Sequence, residues 1–146
     1  MDFNFVTLRL GTGAAINGPD DVEILASAGF TNVIDCIAGA DDTPLFAAHP
    51  SIMVLYNGVD DDGQPKPVEW FQKSIEFALD ALAKPFAKVY AHCAAGVNRG
   101  PSTAYAILLA LGLSPQEAED QIRKNRPQVG LLYKGDAEKA VLSLGY

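Results

Sequence analysis

The chain has 146 residues, 49% of them apolar and 20% charged, which is the length and make-up of one folded domain and excludes a disordered or fibrous chain. Eighteen acidic against 11 basic residues give a net charge of −7, a field that disfavours nucleic acid and anionic membrane as partners and demands a local positive site for any anionic ligand. Two cysteines, Cys36 and Cys93, are too few for a secreted disulfide framework, no basic-then-apolar leader opens the sequence, and the longest apolar run, Ala104 to Leu111, is far short of a membrane span; a cytoplasmic, reduced, monomeric protein is expected.

In chain order, Asn4 to Leu10 predicts a strand ended by Gly11-Thr12-Gly13. Asn17-Gly18-Pro19-Asp20-Asp21 starts a helix, with proline and acids in its first turn, and Gly29 stops it. Thr31 to Ile37 and Ser51 to Tyr56 are short apolar runs suited to buried parallel strands. A polar loop from Asn57 to Pro65 precedes an amphipathic helix, in which Val68, Phe71, Ile75, Leu79 and Leu82 recur at steps of three to four and Pro85 ends the pattern. Ala87 to Ala91 predicts a further strand. Gly100 to Leu111 predicts a helix apolar on nearly every side, hence central, with Gly112 as its stop. Ser114-Pro115-Gln116-Glu117 is a capping box opening a helix that ends near Arg126-Pro127, and Lys134 to Leu144 predicts a closing helix. Strands alternating with helices over residues 1–146 predict a single α/β domain: a central, mostly parallel sheet of four to five strands with helices on both faces. The order of the strands is not legible.

The chemistry concentrates in Val89 to Ser102, a buried strand, a tight loop of small residues, then a helix start. Ligands of open α/β sheets bind beyond the carboxyl ends of the strands, and free amides at a helix N-terminus attract anions. Ala94, Ala95 and Gly96 let the backbone close around a ligand, so the main chain of Ala94, Ala95, Gly96, Val97, Asn98 and Arg99 is the predicted phosphate cradle. The same amides and helix dipole stabilise a thiolate on Cys93 and make it a nucleophile. Arg99 closes the loop with a planar fork that can hold two phosphate oxygens. A buried cysteine, a turn glycine and a solvated arginine are each commonplace alone. Cys and Arg separated by five residues between strand and helix are not.

His92-Cys93-Ala94-Ala95-Gly96-Val97-Asn98-Arg99 resembles the His-Cys-x5-Arg signature of the protein-tyrosine and dual-specificity phosphatases. Weaker resemblance extends from about Leu8 to the C-terminus: Thr31 to Asp35 is similar to the family's second strand, Trp70-Phe71 to the helix before the signature strand, and Glu117 to Pro127 to the helix ending in Arg-Pro. The resemblance implies a small, atypical dual-specificity-like phosphatase that hydrolyses phosphomonoesters through a phosphocysteine, acting on phosphotyrosine and also phosphoserine or phosphothreonine, without cofactor or metal. Its partners would be phosphorylated proteins or small phosphomonoesters. It also implies a general acid on a loop about thirty residues before the cysteine, where Asp60-Asp61-Asp62 lies. Asp61 fits best, but Asp60 and Asp62 satisfy the spacing as well, and mutual repulsion among the three favours a protonated acid. His92 would orient the cysteine loop, whereas His49 is expected to be structural or exposed.

Gly100 departs from the pattern, since the family usually places Ser or Thr there to assist breakdown of the phosphocysteine. Ser102 and Thr103 follow closely, and Ser102 is the candidate supporting hydroxyl. Cys36, which ends the second predicted strand, has two readings. It is a buried core thiol, or, by resemblance to the lipid phosphatases of the superfamily, a redox partner of Cys93. No Lys lies between Cys93 and Arg99, which disfavours phosphoinositides, and Gly96-Val97-Asn98-Arg99-Gly100 is similar to the RNA 5′-triphosphatase branch. The rival functions are a phosphate-binding module with little turnover, an RNA 5′-phosphatase-like enzyme, and arsenate reduction or sulfur transfer on a similar loop.

Overall fold

A computed structural model describes all 146 residues. Five strands form one mixed sheet in the order β1-β2-β5-β3-β4. β1 (Phe3–Phe5) pairs antiparallel with β2 (Leu10–Gly13), while β2, β5 (Val89–His92), β3 (Asn32–Ile37) and β4 (Met53–Val59) are mutually parallel. Successive side chains of a strand face opposite sides of the sheet. Val33 and Tyr90 therefore pack with Val22 and Leu25 of α1 (Pro19–Ser27) on one side. Ile34, Cys36, Val89 and Ala91 pack on the other against α2 (Val68–Leu82), α3 (Arg99–Ala110), α4 (Pro115–Asn125) and α5 (Lys134–Ser143). α3 is buried along nearly its whole length, in line with its apolar sequence. The capping box at the start of α4 forms in both directions: Ser114 Oγ accepts Glu117 N–H at 3.1 Å, and Glu117 Oε1 accepts Ser114 N–H at 3.0 Å.

Three local expectations are corrected. The opening run is not one strand but the hairpin β1–β2. Its turn closes where Val6 and Thr7 donate to the Leu10 carbonyl at 2.8 and 3.2 Å, and Leu8, apolar in sequence, is 89% exposed at the tip. Gly11-Thr12-Gly13 does not end a strand but forms one, because a Cβ at Gly13 would lie 2.4 Å from the Asp2 carbonyl oxygen and only glycine admits this pairing. Asn57 does not begin a loop. It is buried in β4, and its Nδ2 donates to Trp70 O (2.8 Å) and Ser74 Oγ (2.9 Å), tying the strand to α2. A short 3-10 turn at Thr43–Phe46, for which the sequence carried no periodic signal, follows β3. No helix is long and apolar enough to cross a membrane.

Candidate active site

The carboxyl ends of β2, β3, β4 and β5 converge on the segment from Cys93 to Arg99. Cys93 follows β5 directly, is 2% exposed, and donates its N–H to Gly13 O at 3.3 Å. Every carbonyl from Cys93 to Asn98 has a partner. Cys93 O lies 3.3 Å from His92 Nδ1; Ala94 O accepts Ala15 N–H at 3.0 Å. Ala95 O and Gly96 O accept from Arg126 Nη2 (3.2 Å) and Nε (2.8 Å). Val97 O accepts from Gly130 and Leu131 at 2.8 and 3.2 Å, and Asn98 O from Ser102 at 2.8 Å. The N–H groups from Ala94 to Arg99 donate to no protein acceptor. With the carbonyls tied to the surrounding structure, a run of six adjacent amides stays free at a helix N-terminus, an arrangement suited to an anion.

Gly96 is required by this geometry. Its φ is +68°, and a Cβ there would lie 2.5 Å from Arg126 Nη2 and from the Gly13 carbonyl carbon. Tyr90 adds support from below, its hydroxyl donating to Ala14 O at 2.7 Å beside the loop.

Arg99 is buried, with Nη1 donating to Val59 O at 2.9 Å and to Cys36 O at 3.4 Å, so the ends of β3 and β4 fix its plane. Its Nε is buried without a partner. A desolvated guanidinium donor is costly to leave unpaired, and an oxyanion in the loop would satisfy it.

Of the three adjacent acids, Asp61 is the one tied to the loop. Its Oδ1 accepts the Tyr133 hydroxyl at 2.7 Å and its Oδ2 lies 3.5 Å from Asn98 Nδ2. Asp62 instead accepts from Lys66 Nζ at 2.7 Å, and that ammonium holds its carboxyl below the usual carboxylate range, opposite to the upward push expected from repulsion. Asp60 makes no side-chain hydrogen bond.

His92 is fully buried, stacked on Tyr90, and its Nε2 lies 2.5 Å from Asp42 Oδ2 and 3.8 Å from Asp35 Oδ1. Its other ring nitrogen, Nδ1, lies 3.3 Å from the Cys93 carbonyl, which fits the orienting role. Burial pushes the Asp35 carboxyl up to about 6, although its oxygens accept N–H bonds from Ile37 (2.9 Å) and Asp42 (3.0 Å). Asp35, Asp42 and His92 are a poor metal cage: two zinc ligands at 2.0–2.1 Å in tetrahedral geometry stand about 3.3 Å apart, well beyond the His92–Asp42 separation. His49 pairs with Glu23 near the surface at 2.5 Å.

Neither hydroxyl near the start of α3 is committed to Cys93. Ser102 Oγ accepts Tyr133 N–H at 3.3 Å, and Thr103 Oγ1 donates to Arg99 O at 3.0 Å. Gly100 has a packing reason: a Cβ there would lie 2.9 Å from His92 Cα and 3.0 Å from Ala91 O. Cys36 and Cys93 are both free thiols in the same core cluster, and burial pushes the Cys36 thiol up to about 12.

No protein-family sequence model matches the chain, and no curated protein matches it in sequence. Solved structures do match it in shape. A human DUSP28 variant superposes with a TM-score of 0.81 at 21% identity, over 99% of this chain and 97% of that one. The chain has the fold of the dual-specificity phosphatases. PTPMT1 in complex with PI(5)P gives 0.78 at 18% identity over 99% and 100%, and Tk-PTP in its active form 0.77 at 18% over 98% and 95%. Sequence reasoning missed three residues that shape the site within this fold: Arg126, Asp42 and Tyr133. Arg126 carried a faint signal, an arginine at a helix end just before proline; the other two carried none.

Proposed function

We propose that this chain is a cysteine-dependent phosphomonoester hydrolase of the dual-specificity kind. The observation that carries the reading is the Cys93–Arg99 loop, whose carbonyls are all bound while its amides from Ala94 onward stay free beside a buried thiol and an unspent guanidinium donor. In the first step Cys93 Sγ attacks phosphorus, an S–P bond forms as the P–O bond breaks, and the leaving oxygen takes a proton from Asp61. In the second, water attacks phosphorus and gives a proton to the Asp61 carboxylate, the S–P bond breaks, and phosphate leaves the regenerated thiolate. Arg99 and the amides face the charge that shifts between oxygen and sulfur throughout.

The substrates we assign are phosphotyrosine first, then phosphoserine and phosphothreonine, on a body that is neutral or basic. The loops around the site expose Asp41, Asp60, Asp61 and Asp62, whereas Lys66, Arg99 and Arg126 are buried. That distribution disfavours polyanions such as phosphoinositides or RNA 5′ ends. The second reading, a phosphate-binding module with little turnover, is favoured by Gly100, which brings no hydroxyl to the sulfur.

Hydrolysis of para-nitrophenyl phosphate separates the two. Turnover that vanadate inhibits and Cys93→Ser abolishes is the expected result. Vanadate or tungstate binding with no turnover by the native chain would establish the binding module instead.

A further inference from the structure

Asp61 is exposed yet held. Tyr133, 1% exposed, donates its hydroxyl to Asp61 Oδ1 at 2.7 Å and with the same oxygen accepts Gly63 N–H at 3.0 Å. One phenol thereby grips the acid loop at two points. Behind it, the segment from Gly130 to Tyr133 is sewn to the phosphate loop and to α3. Gly130 and Leu131 N–H donate to Val97 O at 2.8 and 3.2 Å, Leu132 N–H to Asn98 Oδ1 at 3.2 Å, and Tyr133 N–H to Ser102 Oγ at 3.3 Å. Lys66, 7% exposed, sits 4.9 Å from the Tyr133 ring centroid and holds Asp62 at 2.7 Å, bracing the loop from its other side.

A general acid must carry its proton on the oxygen that faces the leaving group. A carboxyl oxygen already accepting a hydroxyl hydrogen is the poorer place for that proton. Tyr133 occupies Oδ1, which leaves the proton to Oδ2, the oxygen beside Asn98 of the phosphate loop. We propose that Tyr133 is the positioning residue of the general acid, fixing the acid loop against the phosphate loop and directing the Asp61 proton to Oδ2, an assignment that rests on the phosphatase reading above.

The charged groups around Asp61 are Asp60 and Asp62 on its own loop, Lys66 bound to Asp62, Arg99 bound to Val59 O two residues upstream, and Asp136 of α5, which accepts Lys66 N–H at 3.1 Å. Two neutral donors face Asp61, the Tyr133 hydroxyl at 2.7 Å from Oδ1 and the more distant Asn98 Nδ2 at 3.5 Å from Oδ2. Deleting the Tyr133 hydroxyl frees the acid loop at two points and leaves Oδ1 open to the proton.

Tyr133→Phe preserves the ring and tests this. With phenyl phosphate, whose departure depends on protonation, kcat should fall about tenfold, a fraction of what a general acid contributes. With para-nitrophenyl phosphate, a better leaving group, the fall should be under about threefold. KM and vanadate inhibition should be unchanged, so that the loss lies in kcat. In an Asp61→Asn background the same change should alter kcat by less than about twofold. Incorporating 3-fluorotyrosine at position 133, a stronger donor of nearly the same size, should change kcat with phenyl phosphate more than with para-nitrophenyl phosphate and gives a readout even where the Phe variant does not fold. Equal changes with both esters, or an undiminished effect in the Asp61→Asn background, would overturn the role of Tyr133. Native turnover that survives both Cys93→Ser and Asp61→Asn would overturn the phosphatase reading instead.

Discussion

Position 100 offers a sharp test, because two effects of opposite sign meet there. Gly100 is the second residue of α3, where the first turn of the helix lies against β5. An added Cβ would stand 2.9 Å from His92 Cα and 3.0 Å from both Ala91 O and the His92 carbonyl carbon. All three are main chain of a strand paired on both sides, by β2 and β3, and cannot swing away as a side-chain tip would. Replacing glycine by alanine in a helix normally gains up to about 1 kcal/mol. Forcing a methyl group into a closed contact costs about 1–3 kcal/mol. The net expectation for Gly100→Ala is a loss of up to about 2 kcal/mol, or up to about 6 °C in Tm for a domain of this size. Gly100→Ser lacks alanine's propensity gain, so it should lose at least as much and should not speed breakdown of the phosphocysteine, since the displaced strand end carries Cys93. The assay is calorimetry on all three proteins, paired with rapid mixing on a chromogenic aryl phosphate. The native chain should show a burst of phenolate, because no α3 hydroxyl is bonded to Cys93: Ser102 Oγ faces Tyr133 N–H and Thr103 Oγ1 donates to Arg99 O. A raised Tm in Gly100→Ala, with faster steady turnover in Gly100→Ser, would refute the packing explanation.

Asp61→Asn should lower turnover of phenyl phosphate about 100-fold while Asp62→Asn leaves it within about threefold, since Asp62 is committed to Lys66; the reverse result would move the acid to Asp62. Arg126→Lys cannot hold Ala95 O, Gly96 O and the Asp2 carboxylate together, so chemical denaturation should show a loss of at least about 2 kcal/mol and kcat/KM should fall with it. Asp35 binds its proton more tightly folded than unfolded, so its contribution to stability is present at low pH and fades as pH rises through about 6; Tm of the native chain relative to Asp35→Asn should therefore be higher at pH near 4 than at pH near 7. Mild peroxide followed by mass mapping separates the two readings of Cys36: a thiol pushed up to about 12 by burial is a poor trap, so sulfinic acid at Cys93 with Cys36 free is expected, and a Cys36–Cys93 disulfide would show the redox reading to be right.

What the sequence made legible was what is local along the chain. The Cys93–Arg99 loop is a contiguous stretch whose conformation follows from a strand, small residues and a helix start. The capping box of α4 is spelled within four residues and forms as expected. The amphipathic period of α2 is a property of one segment. What was not legible depends on partners far away. Leu8 reads as part of an apolar strand until the fold turns it outward, and the β1–β2 pairing rests on glycines whose small size matters only because Asp2 and Phe3 come close. Arg126 reaches the Cys93–Arg99 loop from 30 residues away, and His92 meets Asp42 across 50. Asp61 could be separated from its neighbours only by knowing that Tyr133, 72 residues on, lies opposite it.

The division between buried cations and exposed anions bears on how such a site would work. Arg126 spends its charge on Asp2 and its donors on loop carbonyls, so it shapes the cradle without offering charge to a ligand. Lys66 is spent on Asp62. Arg99 and the loop amides are what remain to meet a phosphate, and they act only over hydrogen-bond distances. Farther out, a net charge of −7 repels anions, by about 1 kcal/mol or less for each exposed pair in water and less again in salt. On the phosphatase reading, a phosphoryl group that fits the loop would gain several short, directed bonds to set against that field, and charge selection at this site would come from where Arg99, Arg126 and Lys66 are buried.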